Sequence, residues 1–187
     1  MGVYEINKKR RTVRKFQQRA IALETLHKFI DAARVCPSAA NLQPLRYKII
    51  HNSGECAALF PYLRWAGYLE DGGPKSGEEP TAYIVIVQDL SIRKADASLD
   101  AGASAMAINL CAEELGIGCC WIGSFNREAI IKLCNLSAEQ HPLLVLALGY
   151  SDQAGQCVAV ENGNIRYYLN ENDTLCVPKR EISDILL

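Results

Sequence analysis

The sequence predicts a mixed α and β domain, and three observations carry that expectation. Residues 98–115 are apolar on nearly every side of a helix, Ala82–Val87 and Leu143–Leu148 are continuous apolar runs of strand length, and turn signals cluster after residue 160. Strands and helices therefore interleave, with hairpins gathered near the end of the chain. A chain of 187 residues is long enough for a real core, burying about 70% of its unfolded surface by area scaling. Hydrophobic residues make up 49% and charged residues 22%, which excludes disordered and collagen-like sequence. One domain over residues 1–187 suffices.

The elements follow in order. Leu26, Phe29, Ile30 and Ala33 form one apolar stripe, so residues 20–35 read as a helix that Pro37 and Ser38 end. Pro37 to Pro44 is a small, polar, proline-bounded loop, and Tyr47–Ile50 is a short strand. Residues 52–80 mix Gly and Pro with Phe60, Tyr62, Trp65 and Tyr68, which predicts a short helix and a long loop whose aromatics cover something. Ala82–Val87 is a strand buried on both faces. The helix of residues 98–115 is central, its alanines allow close helix contact, and Gly116 stops it. Cys119–Ile122 is a short apolar piece. A helix over Asn126–Leu133 is capped by Ser124 or Asn126, and Gly149 closes the strand Leu143–Leu148. Asn162-Gly163 and Asn170–Asp173 are hairpin signals.

Composition removes several function classes. A formal net charge of −1 gives no global field for nucleic acid or an anionic membrane. No apolar run reaches the ~18 residues of a membrane span. The basic N-terminus is followed by no signal-peptide apolar stretch, and Gly2 lacks the Ser/Thr of a myristoylation signal, so a cytoplasmic protein is expected. The eight cysteines form no C-x-x-C pair and mostly sit in apolar surroundings, where they read as small hydrophobes, and no metal site is expected. Gly102-Ala103-Ser104-Ala105-Met106 is not a nucleophile elbow, no phosphate loop of the G-x-x-x-x-G-K-[ST] type occurs, and Gly116-Ile117-Gly118 leads to Trp121 rather than a third glycine. His27, His51 and His141 are unpaired in sequence.

Two basic clusters and one loop remain. Lys8, Lys9, Arg10, Arg11, Arg14 and Lys15 crowd the N-terminus around Thr12, and Lys179-Arg180 lie near the opposite end. Guanidinium forks and a hydroxyl suit a phosphate, and on a helix Arg10 and Arg14 would share one face. Taken alone, such charge runs read as solvated surface. In the loop, Asn41 and Gln43 offer donors and acceptors matching the edge of a planar heterocycle, or an ordinary surface turn.

In combination these segments are identifiable. Arg10-Arg11-Thr12-Val13-Arg14-Lys15-Phe16, then Pro37-Ser38 with Asn41 and Gln43-Pro44, resembles the opening of the FMN-dependent nitroreductase family. Asp100-Ala101-Gly102 and Leu115 to Gly123 resemble its second signature, and Leu143 to Tyr150 with Pro178-Lys179-Arg180 is similar to its last strand and tail. The resemblance covers residues 8–51, 82–151 and 176–187, with the motifs in the family's order.

That resemblance implies an α+β, three-layer α/β/α fold with a mixed, largely antiparallel central sheet. It also implies a homodimer with FMN at the subunit interface. Arg10, Arg11, Thr12 and Arg14, with Lys179 and Arg180, would hold the phosphate and ribityl side. Pro37, Ser38, Ala39, Asn41 and Gln43 would meet the flavin from the other subunit, and the Ile122-Gly123 backbone would lie against the ring. Residues 52–80 are short for a family whose substrate elements often lie there, so no flavin contact is assigned to them, while their aromatics Phe60, Tyr62, Trp65 and Tyr68 favour a cover over a small-molecule substrate. Leu45 stands where the family often carries an aromatic residue, and Lys179 and Arg180 are adjacent where some relatives space them. The implied activity is an oxidoreductase taking hydride from NAD(P)H and reducing a nitroaromatic, quinone or similar acceptor. The flavin carries that chemistry, so no catalytic side chain is assigned. The residues leave open a non-catalytic FMN carrier or redox sensor, and a branch acting in reductive dehalogenation or flavin breakdown.

Overall fold

The computed structural model describes residues 2–187. In chain order the elements are α1 (Val3–Lys9), α2 (Leu23–Arg34), β1 (Leu45–Ile50), α3 (Ser53–Leu59), β2 (Ala82–Asp89), α4 (Ser98–Glu114) and β3 (Ile117–Ile122). They continue with α5 (Arg127–Cys134), β4 (Gln140–Tyr150), β5 (Gly155–Ala159), β6 (Tyr168–Leu169) and β7 (Leu175–Lys179). Strands β1, β2, β4 and β3 lie side by side in that order, every neighbouring pair antiparallel.

Alternation along the strands builds the layers. Ala82, Ile84 and Ile86 of β2, with Leu146 and Leu148 of β4, face α2 and α4. Tyr83, Val85 and Val87, with Val145 and Ala147, face a second core that takes in Leu59 of α3 and Ile130 of α5. Ala82 to Gln88 are all buried, as expected of a strand covered on both sides. Burying each of its large apolar side chains contributes roughly 1.5–3 kcal/mol. The fold is thus the α+β, three-layer arrangement that the resemblance implies.

The mixed strand directions are divided between two places. The four central strands are wholly antiparallel, and a single parallel bridge, Thr12 to Cys119, adds the N-terminal arm beside β3. The parallel pairing of full strands is in a second sheet, ordered β5-β7-β6, where β5 runs parallel to β7 and β6 antiparallel to it.

Boundaries differ from the sequence expectations for identifiable reasons. Strand β4 begins at Gln140, because Gln140-His141-Pro142 pairs with β2 without any apolar alternation to announce it. Helix α1 has no long apolar stripe and buries only Ile6. Asn126 caps α5, its side chain accepting from the Ala129 N–H at 3.1 Å. Asn162 and Gly163, with φ of 52° and 73°, make the expected tight turn, yet only Glu161 and Asn164 pair across it. Asn170–Asp173 does join two strands, with Leu169 opposite Leu175. The eight cysteines are free thiols, and adjacent Cys119 and Cys120 enter opposite cores.

Candidate functional site

The basic arm of residues 10–16 is not a helix, so Arg10 and Arg14 do not share a helical face. Helix α1 ends at Lys9, and the chain then runs alongside the edge of β3. The Val13 N–H donates to the Cys119 carbonyl at 3.2 Å, and the Arg14 N–H to Gln153 Oε1 at 2.9 Å. Two glycines make this close approach possible. A Cβ on Gly118 would stand 2.7 Å from Val13, and one on Gly155 would stand 2.9 Å from the Arg11 side chain. The edge of β3 had to be bare for the arm to sit there.

The arm's guanidinium groups meet the other end of the chain. A cavity of about 550 Å³ is lined by Lys8, Arg10, Arg11, Lys179 and Arg180, together with Glu181. Both members of the C-terminal basic pair therefore reach it. Thr12 and Arg14 are not in its lining. Arg11 donates to the Lys8 carbonyl, but its Nε, the Nε of Arg10, and Nε and Nη1 of Arg14 are buried without a hydrogen-bond partner. A buried donor left unpaired costs about 1–3 kcal/mol, more when charged. The two on Arg10 and Arg11, which line the basic cavity, fit a multiply charged anion with several acceptor oxygens such as a flavin mononucleotide phosphate, and the two on Arg14 lie farther along the same arm.

Arg14 has two further neighbours. Its guanidinium carbon lies 4.9 Å from the centroid of the Tyr167 ring. It also favours the thiolate of Cys120, against burial that pushes this thiol up to about 11. Lys15 instead pairs with Asp173.

The loop after α2 forms a different site. Pro37, Ser38, Gln43 and Pro44 line a smaller cavity of about 170 Å³ with Cys36, Tyr47, Asp100 and Ser104. Within the loop Ala39–Asn41 makes one 3-10 turn, and Ala40, Asn41 and Gln43 have φ of 50°, 54° and 51°. Non-glycine residues enter this left-handed region at a cost, so the surroundings must hold the loop there. The Gln43 N–H donates to Ser38 Oγ at 3.0 Å, and the Ala39 N–H to Asp100 Oδ1 at 3.4 Å. Gln43 lines the smaller cavity and Arg10 and Arg11 the basic one, and the two linings have no residue in common. Ile122 is buried in the core of α3 and α5, while Gly123 is exposed, with open space where a Cβ would stand.

The aromatics of residues 52–80 do not form one wall. Phe60 and Trp65 pair at 5.8 Å between centroids, and Tyr68 instead stacks on Tyr167 at 5.0 Å. Tyr62 lines a separate depression with Asn126 and Leu133. Phe60 borders a roomier cavity of about 490 Å³ with Gln18, His51 and Glu79. Tyr167 and Gln153 carry no local sequence signal because their contacts with Arg14 join segments far apart in the chain, and Arg93, whose partner Asp100 is only seven residues on, lies in no motif. The only signal for Asp100 was its place in a family motif.

The sequence model of the nitroreductase family matches residues 8–68 and 77–150. The chain belongs to the nitroreductase family. The match takes in the basic arm, the loop of Asn41, α4 and β3, and stops before Lys179 and Arg180. A relative from Methanothermobacter thermautotrophicus, provisionally named an NADH dehydrogenase/NAD(P)H nitroreductase, is 29% identical over 156 residues, covering 80% of this chain and 78% of that protein. The crystal structure of a nitroreductase family protein from Clostridium difficile 630 superimposes with a TM-score of 0.68 at 26% identity, covering 82% of this chain and 86% of that one. A provisionally named nitroreductase from Desulfovibrio desulfuricans, solved in complex with FMN, shares the fold with a TM-score of 0.69 at 20% identity, covering 100% and 96%. Among the described residues no helix is long and apolar enough to cross a membrane.

Proposed function

We propose that this nitroreductase family member is an FMN-dependent oxidoreductase that uses NAD(P)H to reduce a nitroaromatic, a quinone or a similar small acceptor, with residues 1–187 as one FMN-binding domain. The observation that carries the reading is the pair of unpartnered guanidinium nitrogens on Arg10 and Arg11 at a cavity that also collects Lys179 and Arg180. The names of the relatives and the FMN complex of a protein with the same fold support it.

In this reading Arg10, Arg11, Lys179 and Arg180 hold the phosphate by charge-assisted hydrogen bonds. Arg14, placed beside Tyr167, and Thr12, bridged to Cys119, extend the grip along the ribityl side. Bare backbone at Gly123 lets the flat ring approach. Bound FMN would supply the hydride and electron transfer. The chain's part is position and electrostatics: cations and amide donors held in place stabilise negative charge as it gathers.

The proposal includes a second subunit, and it is supported by the two cavities having no lining residue in common. In this reading Pro37, Ser38, Ala39, Asn41 and Gln43 meet a flavin held by Arg10 and Arg11 of another copy of the chain. Helix α4 offers a seam for that copy. Leu99 is 89% exposed, and Ala103, Met106 and Leu110, spaced to share its face, are only half-buried. Of the aromatic segment, Tyr68 is joined to the arginine arm through Tyr167 and is the candidate substrate cover this geometry supports, whereas Phe60, Trp65 and Tyr62 lie at other surfaces.

The test is reconstitution with FMN followed by nicotinamide oxidation, using NADH and NADPH separately against a nitroaromatic and a quinone. Acceptor-dependent oxidation supports the enzyme. Tight FMN binding without oxidation of either nicotinamide would favour a carrier or sensor, and failure to bind FMN would overturn both.

A further inference from the structure

We infer that Asp100, clamped by Arg93, is the positioning residue that holds the loop of Asn41 and Gln43 in its strained, flavin-presenting form; the inference rests on the FMN reading above. Asp100 stands in the first turn of α4 and is 6% exposed. Its two carboxylate oxygens are divided between two tasks. Oδ1 accepts from the Ala39 N–H at 3.4 Å, and Oδ2 pairs with Arg93 Nη1 at 3.2 Å.

Every other backbone N–H from Ala39 to Gln43 with a partner is satisfied inside the loop. Asn41 donates to the Ser38 carbonyl, Leu42 to the Ala39 carbonyl, and Gln43 to Ser38 Oγ. Such internal bonds close the loop on itself but do not fix it to the protein. The Ala39–Asp100 bond does. It anchors the loop one residue before the first left-handed position, Ala40, where relaxation would begin. Breaking it would free a loop with three left-handed non-glycine residues, and such conformations persist only where the surroundings over-determine them.

Arg93 is itself fixed from beneath. Gln88 of β2, 3% exposed, donates to the carbonyls of Arg93 and Ala95 at 2.8 and 2.7 Å and accepts from the Ala97 N–H at 3.2 Å. Gln88 thus pins the segment that carries Arg93 and enters α4. The polar path runs from the central sheet through Gln88, Arg93 and Asp100 to Ala39, and connects the rigid core to the loop. Near α4, Tyr47 and Ser104 share a hydrogen bond of 2.9 Å in the same cavity, which steadies its floor without touching the loop.

The variants Asp100→Ala and Asp100→Asn separate tethering from general stability. The carboxamide oxygen of Asp100→Asn can still accept from the Ala39 N–H, whereas Asp100→Ala offers nothing. Hydrogen exchange of the loop amides in FMN-free protein reads the tether directly, and an FMN titration reads its consequence. Asp100→Ala is expected to speed exchange of residues 39–43 and to weaken FMN binding about tenfold or more, the loss of one charge-assisted bond. Exchange in β2 and β4 stays unchanged, and Asp100→Asn, which keeps an acceptor for Ala39 but turns an amide NH2 toward Arg93, recovers part of both effects. Arg93→Gln, which leaves Asp100 unclamped, gives an intermediate result and serves if Asp100→Ala does not fold. Unchanged loop exchange in both Asp100→Ala and Arg93→Gln, or equal loosening of the whole protein, would overturn the inference. Wild-type protein that binds no FMN would instead overturn the FMN reading, while the exchange data would still decide the tether.

Discussion

The Arg14 guanidinium lies against the ring of Tyr167, 4.9 Å from carbon to centroid, while the neighbouring Lys15 is engaged by Asp173. Two adjacent cations of one basic run therefore have opposite fates. Arg14 keeps two buried nitrogens without partners, and Lys15 is already paired. Arg14→Ala is expected to weaken FMN affinity about tenfold or more, and Lys15→Ala about threefold or less, since hydrogen bonds to charged groups contribute roughly 1.5–3 kcal/mol and exposed pairs far less. Fluorescence titration of FMN at matched stability checks this. Equal losses would count against Arg14 as a ligand.

That contrast shows where the sequence is legible and where it is not. Apolar periodicity located α2, α4 and the two buried strands, because burial on fixed faces leaves a local pattern. The basic run was also visible, but its conformation was not. A tract of Lys and Arg carries no hydrophobic period, so the arm's extended course depends on β3 presenting Gly118 beneath Val13, a contact across more than a hundred residues. Tyr167 and Gln153 escaped for the same reason. The loop of Asn41 stood out by its prolines, whereas its tether to Asp100 needs α4 folded beside it.

Gly118→Ala tests the seating of the arm. A Cβ only 2.7 Å from Val13 forces the arm off the edge of β3. Overpacking of this kind costs about 1–3 kcal/mol. Urea unfolding should register that loss, and FMN affinity should fall as well because Arg10, Arg11 and Arg14 move with the backbone. Wild-type stability and affinity in this variant would show that the arm is not anchored there.

Stability should fall as the solution turns alkaline. Burial pushes Cys120 and Cys56 from the ordinary 9.0 up to about 11, and raises Cys119 and Tyr83 as well. Above about pH 9 the unfolded chain releases these thiol protons while the folded chain retains them. The unfolded state then binds fewer protons, so stability decreases with rising pH through the interval from about 9 to about 11. Urea midpoints measured from neutral to alkaline pH report it. A midpoint that stays flat across this interval would mean that the thiols are not protonated in the fold.

The dimer and the cofactor should be lost together. If Asn41 and Gln43 of one copy serve the flavin held by Arg10 and Arg11 of another, FMN stabilises association by mass action. Leu99→Lys, at the exposed start of the α4 seam, should lower both dimer content and FMN retention in sedimentation across a dilution series. A monomer that keeps stoichiometric FMN would show that each site is complete within one chain.

Binding of FMN and its reduction by NAD(P)H lie at the heart of the proposed function. The direct measurement is anaerobic mixing of the purified, FMN-loaded protein with NADH or NADPH while the visible flavin absorbance is followed, then denaturation to identify the released flavin. Rapid bleaching with at least one nicotinamide, recovery of the colour on adding a quinone or nitroaromatic, and release of FMN are expected. Release of FAD, or a bound flavin that neither nicotinamide bleaches, would contradict the proposed function.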